Sequence, residues 1–185
     1  MGCENTLSLS VIKRSIEECL RILYRTDGFL LRRNNNRGVC ERCLVFRFAC
    51  YLQNQFNDHF VDCDFNSSFS GYLNRGDVTE NERSGKPIEN KNGSVTRRFV
   101  DIIIHKRDCS PQNNLVCFEI KKWNTNNKKE RNKDYNNLRR LTSDYGYSCG
   151  FHIVFGKSLA HTRWTIFEKG RVVESNVLVF QNETK

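Results

Sequence analysis

The chain has 185 residues, 38% of them hydrophobic and 13 of them Phe, which is enough for one domain with a sizeable core. A mean hydropathy of −0.64 implies a very polar surface, and the absence of any apolar run near the roughly 18 residues that span a bilayer excludes a membrane-spanning helix. The net charge of +9 and a pI near 9.2 point to a polyanionic partner, nucleic acid before any other; with no spanning run, no membrane partner is expected.

The opening MGCENTLSLSVIKR lacks the charged-then-apolar order of a secretion signal. Its match to the loose Met-Gly-x-x-x-Thr myristoylation pattern reads as coincidence. Over residues 7–24, Leu9, Ile12, Ile16, Leu20 and Tyr24 recur at spacings of three and four and predict an amphipathic helix. Thr26-Asp27-Gly28 ends it, and Phe29-Leu30-Leu31 is expected as a short strand. The basic loop RRNNNRG at 32–38 reads as solvated. Residues 39–56 predict a second helix with Leu44, Phe48, Tyr51, Leu52 and Phe56 as its core stripe. Glu41 lies in its first turn, where the helix dipole favours an acid.

Phe60 to Asn66 alternates as a strand, with Asp62 and Asp64 on one face. Residues 67–96 carry four glycines, one proline and many charges without periodicity. Such a stretch is expected as a mobile insertion beside the functional site, with a short strand near Val78 and Lys86 within reach of phosphate. Phe99 to His105 and Leu115 to Lys121 then read as a hairpin across a polar turn at 107–114. Asp101 sits near the start of the first strand. Glu119 and Lys121 close the second and share one face, since residues i and i+2 project together. Two carboxylates and an ammonium meet at one end of adjacent strands, a place to hold a divalent metal and a water molecule. Glu-x-Lys occurs three times, at 89–91, 119–121 and 183–185, and only the middle one lies in an apolar strand.

Asn124 to Asn127 supplies a turn and N-cap, with Glu130 placed for a capping box. The helix from about 128 to 144 is expected to turn Tyr135, Leu138, Leu141 and Tyr145 inward, while Lys128, Lys129, Arg131, Lys133, Arg139 and Arg140 crowd its other surfaces. Cys149 to Phe155 is a buried-type strand. Arg163–Glu168 and Arg171–Val173, joined across Lys169-Gly170, form a final hairpin within 163–180. The nine cysteines are odd in number and several lie in apolar runs. Cys40-x-x-Cys43 has no second pair and no histidine at ligand spacing, so reduced thiols without zinc are expected, in a cytoplasmic protein.

The arrangement Asp101-(x)17-Glu119-x-Lys121 on two strands resembles the active site of the PD-(D/E)XK nuclease superfamily, the restriction-endonuclease-like fold. The resemblance covers about residues 39–156, where helix, strand, strand, strand, helix, strand follow one another. It implies an α/β fold, a mixed central sheet flanked by helices with core order αβββαβ, in a single domain over 1–185. By that likeness Asp101 and Glu119 are metal ligands and Lys121 positions or deprotonates the water. Glu41 matches the glutamate that such nucleases often aim at the metal from the helix before the sheet. Arg98, Lys122, Lys128, Lys129, Arg131 and Lys133 are the candidate phosphate contacts. Val100 stands where the family's name has a proline, and the Gln-x-x-x-Tyr motif of the exonuclease branch is missing after Lys121. The implied activity is Mg2+- or Mn2+-dependent phosphodiester hydrolysis, foremost as a DNA endonuclease. The alternatives are an inactive nuclease-like DNA-binding or regulatory module and an RNA-cleaving effector. Oligomeric state stays open, a dimer included.

Overall fold

In a computed structural model, residues 7–32, 40–65, 86–89, 95–98, 100–107, 113–124 and 127–180 are described. Helix α1, Leu9–Asp27, starts where the Ser8 side chain accepts from the Val11 N–H, and it buries Ile12, Ile16, Cys19, Leu20, Leu23 and Tyr24. The apolar triplet after it is not a strand. Gly28 keeps helical angles (φ −57°, ψ −18°), and a one-turn helix α2, Phe29–Arg32, follows. Its Leu31 N–H donates to Gly28 O, so three apolar residues alone do not set a β period. Helix α3, Glu41–Gln55, buries Leu44, Val45, Phe48, Ala49 and Leu52.

Strand β1 is Phe60–Phe65. The stretch expected as an aperiodic insertion contains a two-stranded antiparallel ladder, β2 at Lys86–Glu89 with β3 at Val95–Arg98. The expected strand near Val78 lies outside the described residues. Then come β4, Val100–His105, β5, Asn114–Lys122, and helix α4, Lys128–Asp144, capped by the Asn127 side chain accepting from the Glu130 N–H. Strand β6, Cys149–Phe155, leads through a 3-10 turn, Leu159–His161, to β7, Arg163–Glu168, and β8, Arg171–Leu178. The β7–β8 turn places Lys169 and Gly170 at φ 48° and 74°, the left-handed pair that suits a two-residue hairpin. Asn176 at φ 52° takes up a register shift, and β8 runs on past Val173, where the sequence pattern ends it.

Six strands form one mixed sheet in the order β1-β4-β5-β6-β7-β8, with β5 and β6 its one parallel pair. A parallel pair needs a crossover, and α4 supplies it. The larger core lies between α1, α3 and one sheet face, around Phe48, Phe118, Phe151 and Phe155. A smaller core joins α4 to the other face through Ile103, Cys117, Leu138, Leu141 and Phe167. On β5, Phe118 and Ile120 therefore face α3, and the alternation turns Glu119 and Lys121 toward α4. Among the described residues the seven cysteines are free, and no helix is long and apolar enough to cross a membrane.

Candidate active site

The recorded pairing of β4 with β5 runs from Ile102↔Phe118 to His105↔Asn114. Beyond Ile102 the Asp101 carboxylate takes over and accepts the Ile120 N–H at 2.6 Å. One residue along β5 on each side of Ile120 stand Glu119 and Lys121. Glu119 is 4% exposed and accepts from Asn137 Nδ2 of α4 at 2.9 Å. The Lys121 ammonium lies 3.5 Å from Glu41 Oε1 and 3.7 Å from Asp134 Oδ2. Glu41 also accepts the Lys122 N–H through its second oxygen at 3.1 Å. The first residue of α3 thus does more than complement the helix dipole: it reaches across the sheet end and grips β5 at two consecutive residues.

Four carboxylates surround one ammonium, and the electrostatics follow. Burial pushes the Asp101 carboxyl up to about 6, with Glu41 and Asp134 adding to the rise and the Ile120 N–H and Lys121 opposing it. Glu119 is raised well above the ordinary carboxylate range by burial, then by Asp101 and Asp134. For Lys121 burial disfavours the charged form, but Asp134, Asp101, Glu41 and Glu119 together outweigh it and hold the pKa above that of an ordinary lysine. The side chain is an ammonium at neutral pH, poised to donate and to offset negative charge.

Two site residues are not singled out by the sequence pattern. Asp134 lies on the buried stripe of α4 with Asn137, Leu138 and Leu141. His152, 1% exposed, sits opposite Glu119 in the β5–β6 register. Their polar atoms, Asp134 Oδ2 and His152 Nε2, are 3.7 Å apart and buried without a hydrogen-bond partner among the described residues. The available signals were an acid four residues before Leu138 on the apolar stripe and a lone histidine in CGFHIVF. Tyr135, expected inward, is half-buried: its ring meets His152 edge-on at 5.1 Å and its hydroxyl lies 2.9 Å from Thr165 Oγ1.

The expected cation ligands Asp101, Glu119 and Glu41 are brought to one sheet end. Among the described residues, however, no group of three or more His, Cys, Asp or Glu side chains is gathered to hold a metal ion. The donor chemistry still fits Mg2+ or Mn2+, because such cations accept one or two carboxylates and complete their shell with water and phosphate. Buried carboxylates that repel one another, and an Asp134 Oδ2 that is ion-paired but not hydrogen-bonded, are the environment a divalent cation relieves.

The candidate phosphate contacts divide. Lys128, Lys129 and Lys133 are exposed on the first turns of α4 and Arg131 is half-buried there. Lys122 is 8% exposed, because its position in β5 turns it to the face that α3 covers, so it leaves the exposed basic set. Arg98 lies in β3 opposite Lys86, and its side chain is outside the described residues. No family model matches the chain, and neither the curated proteins nor the solved structures provide a match.

Proposed function

We propose that the chain is a metal-dependent nuclease of the restriction-endonuclease-like fold, hydrolysing phosphodiester bonds of DNA. The observation that carries this reading is the convergence of Asp101, Glu119 and Lys121 on the α4 face of adjacent strands, with Glu41 and Asp134 both within 4 Å of the lysine ammonium. Along the chain from α3, with the separate β2–β3 ladder set aside, the succession of helix, β1, β4, β5, α4 and β6 is the one expected of that fold's core, which supports the reading.

In this mechanism Asp101 and Glu119 would hold the cation, with Glu41 or Asp134 as a further oxygen donor. Mg2+ or Mn2+ bound there would supply Lewis-acid polarisation of the phosphoryl oxygen and a more acidic water. Lys121, kept protonated by its acidic neighbours, donates to the attacking water or to a non-bridging oxygen and offsets charge that grows in the transition state. Asn137 orients Glu119 through its amide. Asp134 of α4 and Glu41 of α3 both hold the ammonium.

Purified protein incubated with plasmid, linear duplex, single-stranded DNA and RNA, with and without Mg2+ or Mn2+, tests the reading. Metal-dependent cleavage that disappears in Lys121→Ala supports it. A second reading is a nuclease-like module that binds nucleic acid without cutting it. Binding without cleavage under every metal condition establishes that alternative, and cleavage of RNA alone makes the protein an RNA-cleaving effector.

A further inference from the structure

Beyond the carboxylates, the sheet end carries an aromatic platform. Trp123 directly follows β5, and its N–H donates to Phe155 O at 2.9 Å, which pins it beside the end of β6. Lys157, two residues past Phe155, holds its ammonium 4.3 Å from the centroid of the Trp123 ring. Trp123 is 42% exposed, whereas the other tryptophan, Trp164, is 2% exposed and packs edge-on against Phe151. The fold therefore buries one indole and leaves the other in solvent, two residues beyond Lys121. At about 3.3 Å per extended residue, that is roughly 7 Å of backbone beyond Lys121.

We propose that Trp123 and Lys157 form a binding subsite for an unpaired nucleobase of the substrate strand. Lys157 lies over one face of the indole, and the exposed part of the ring can stack on any base while the ammonium, moving off the ring, meets the phosphate attached to that base. In a duplex both faces of each base are already covered, so the platform selects single-stranded, frayed or flipped nucleotides. The basic first turns of α4, with Lys128 and Lys129 exposed, begin five residues after Trp123 and continue the same end of the sheet with backbone contacts. The placement beside Lys121 rests on the nuclease reading, but the binding chemistry does not.

The test measures affinity in EDTA, where cleavage cannot interfere, by fluorescence anisotropy of labelled oligo(dT), oligo(U) and a blunt duplex. Trp123→Ala is expected to weaken oligo(dT) binding about tenfold or more, the loss of one stacked base. Trp123→Phe keeps a ring and recovers most of the affinity, and blunt-duplex binding stays near that of the parent. A stronger effect on oligo(U) than on oligo(dT) assigns the subsite to RNA. Trp123→Leu replaces Trp123→Ala if the smaller side chain lowers the melting temperature. The proposal is overturned if the Ala or Leu variant binds oligo(dT) as the parent does, if duplex and single strand are lost equally, or if the parent ignores oligo(dT). A parent that never cuts, yet whose Trp123 variants lose single-strand affinity, removes the nuclease reading and leaves the platform standing. A parent that cuts, with Trp123 variants binding normally, does the reverse.

Discussion

At the scale of single residues, the site holds Lys121 as a charged donor and Asp101 as a reluctant anion, and each makes a prediction. Lys121 acts where charge develops, so Lys121→Ala is expected to lower the cleavage rate by about a hundredfold or more while DNA affinity changes little. Lys122→Ala is the neighbouring control: its side chain lies on the α3 face, so its effect is on stability and not on the chemical step. Rates from single-turnover assays decide, and a dead Lys122 variant beside an active Lys121 variant sinks the assignment. Asp101 behaves differently. Its folded pKa, about 6, lies above the ordinary 3.8, so its charged form costs the fold stability at neutral pH. That cost fades as pH falls through 6 toward 4, as the native carboxyl takes up its proton before the unfolded one does. In EDTA, Asp101→Asn should melt a few degrees above the parent at pH 7.5, since one pKa unit is about 1.4 kcal/mol. The gap should close as the pH drops toward 4. A gap that is constant with pH, or a less stable variant, contradicts the burial of this carboxylate.

Among elements, the contact of α1 with α3 sets where Glu41 can reach, because α3 presents that residue from its first turn. The two helices are tied by Asp27 near the end of α1, which accepts from Arg47 Nε and from Tyr51 Oη of α3, both at 2.7 Å. Burial pushes the Asp27 carboxyl up, but the bonds from Tyr51 and Arg47 outweigh it and hold the pKa below the ordinary range. The stabilisation is therefore present above the unfolded value near 3.9 and is lost as pH falls through the lower folded value. Asp27→Asn is expected to lower stability at neutral pH by about 1 kcal/mol or less, because solvent screens the half-exposed Arg47 and the amide oxygen still accepts. Chemical denaturation should show the two proteins converging in strong acid, and equal stability at neutral pH would deny the tie. The pattern of the sequence shows α1, α3 and α4 through their apolar spacing, and β4, β5 and β6 through β-branched and aromatic runs. It does not show Asp27, Asp134 or His152, because their roles come from pairings across 13 to 20 residues, between different elements, that no local period encodes. The short helix at Phe29–Arg32 escapes for the opposite reason: four residues carry too few positions to distinguish a period of 3.6 from one of 2.

Over the whole molecule, the charge is arranged in a way that composition alone does not tell. The net charge of +9 surrounds a local cluster of acids, so the protein attracts polyanions at long range, while Asp101, Glu119 and Asp134 offer phosphate no positive partner of their own unless a cation intervenes. The long-range part is legible from residue counts. The local part needs the fold, which brings carboxylates from α3, β4, β5 and α4 to one place. Both parts enter a prediction about binding. Helix α4 carries six basic residues against three acidic ones, with Lys128, Lys129 and Lys133 exposed near its start. Contacts from such residues release counterions, and affinity for DNA should fall by about a thousandfold between roughly 50 and 200 mM salt if six phosphates are engaged. Replacing Lys128, Lys129 and Lys133 together by Gln should lower the slope of log affinity against log salt by about 0.9 for each contact removed. Divalent cation acts in the opposite sense to ordinary salt at the acidic cluster. At constant ionic strength, replacing EDTA by Ca2+ should strengthen binding to the parent, and Glu119→Gln should lose most of that gain by removing one of the oxygen donors. Anisotropy titrations over a salt series, in EDTA and in Ca2+, measure both slopes at once. If the triple variant keeps the parent's slope, the basic start of α4 does not face the nucleic acid. If Ca2+ leaves the affinity of the parent unchanged, the acidic cluster does not share a cation with the phosphate backbone.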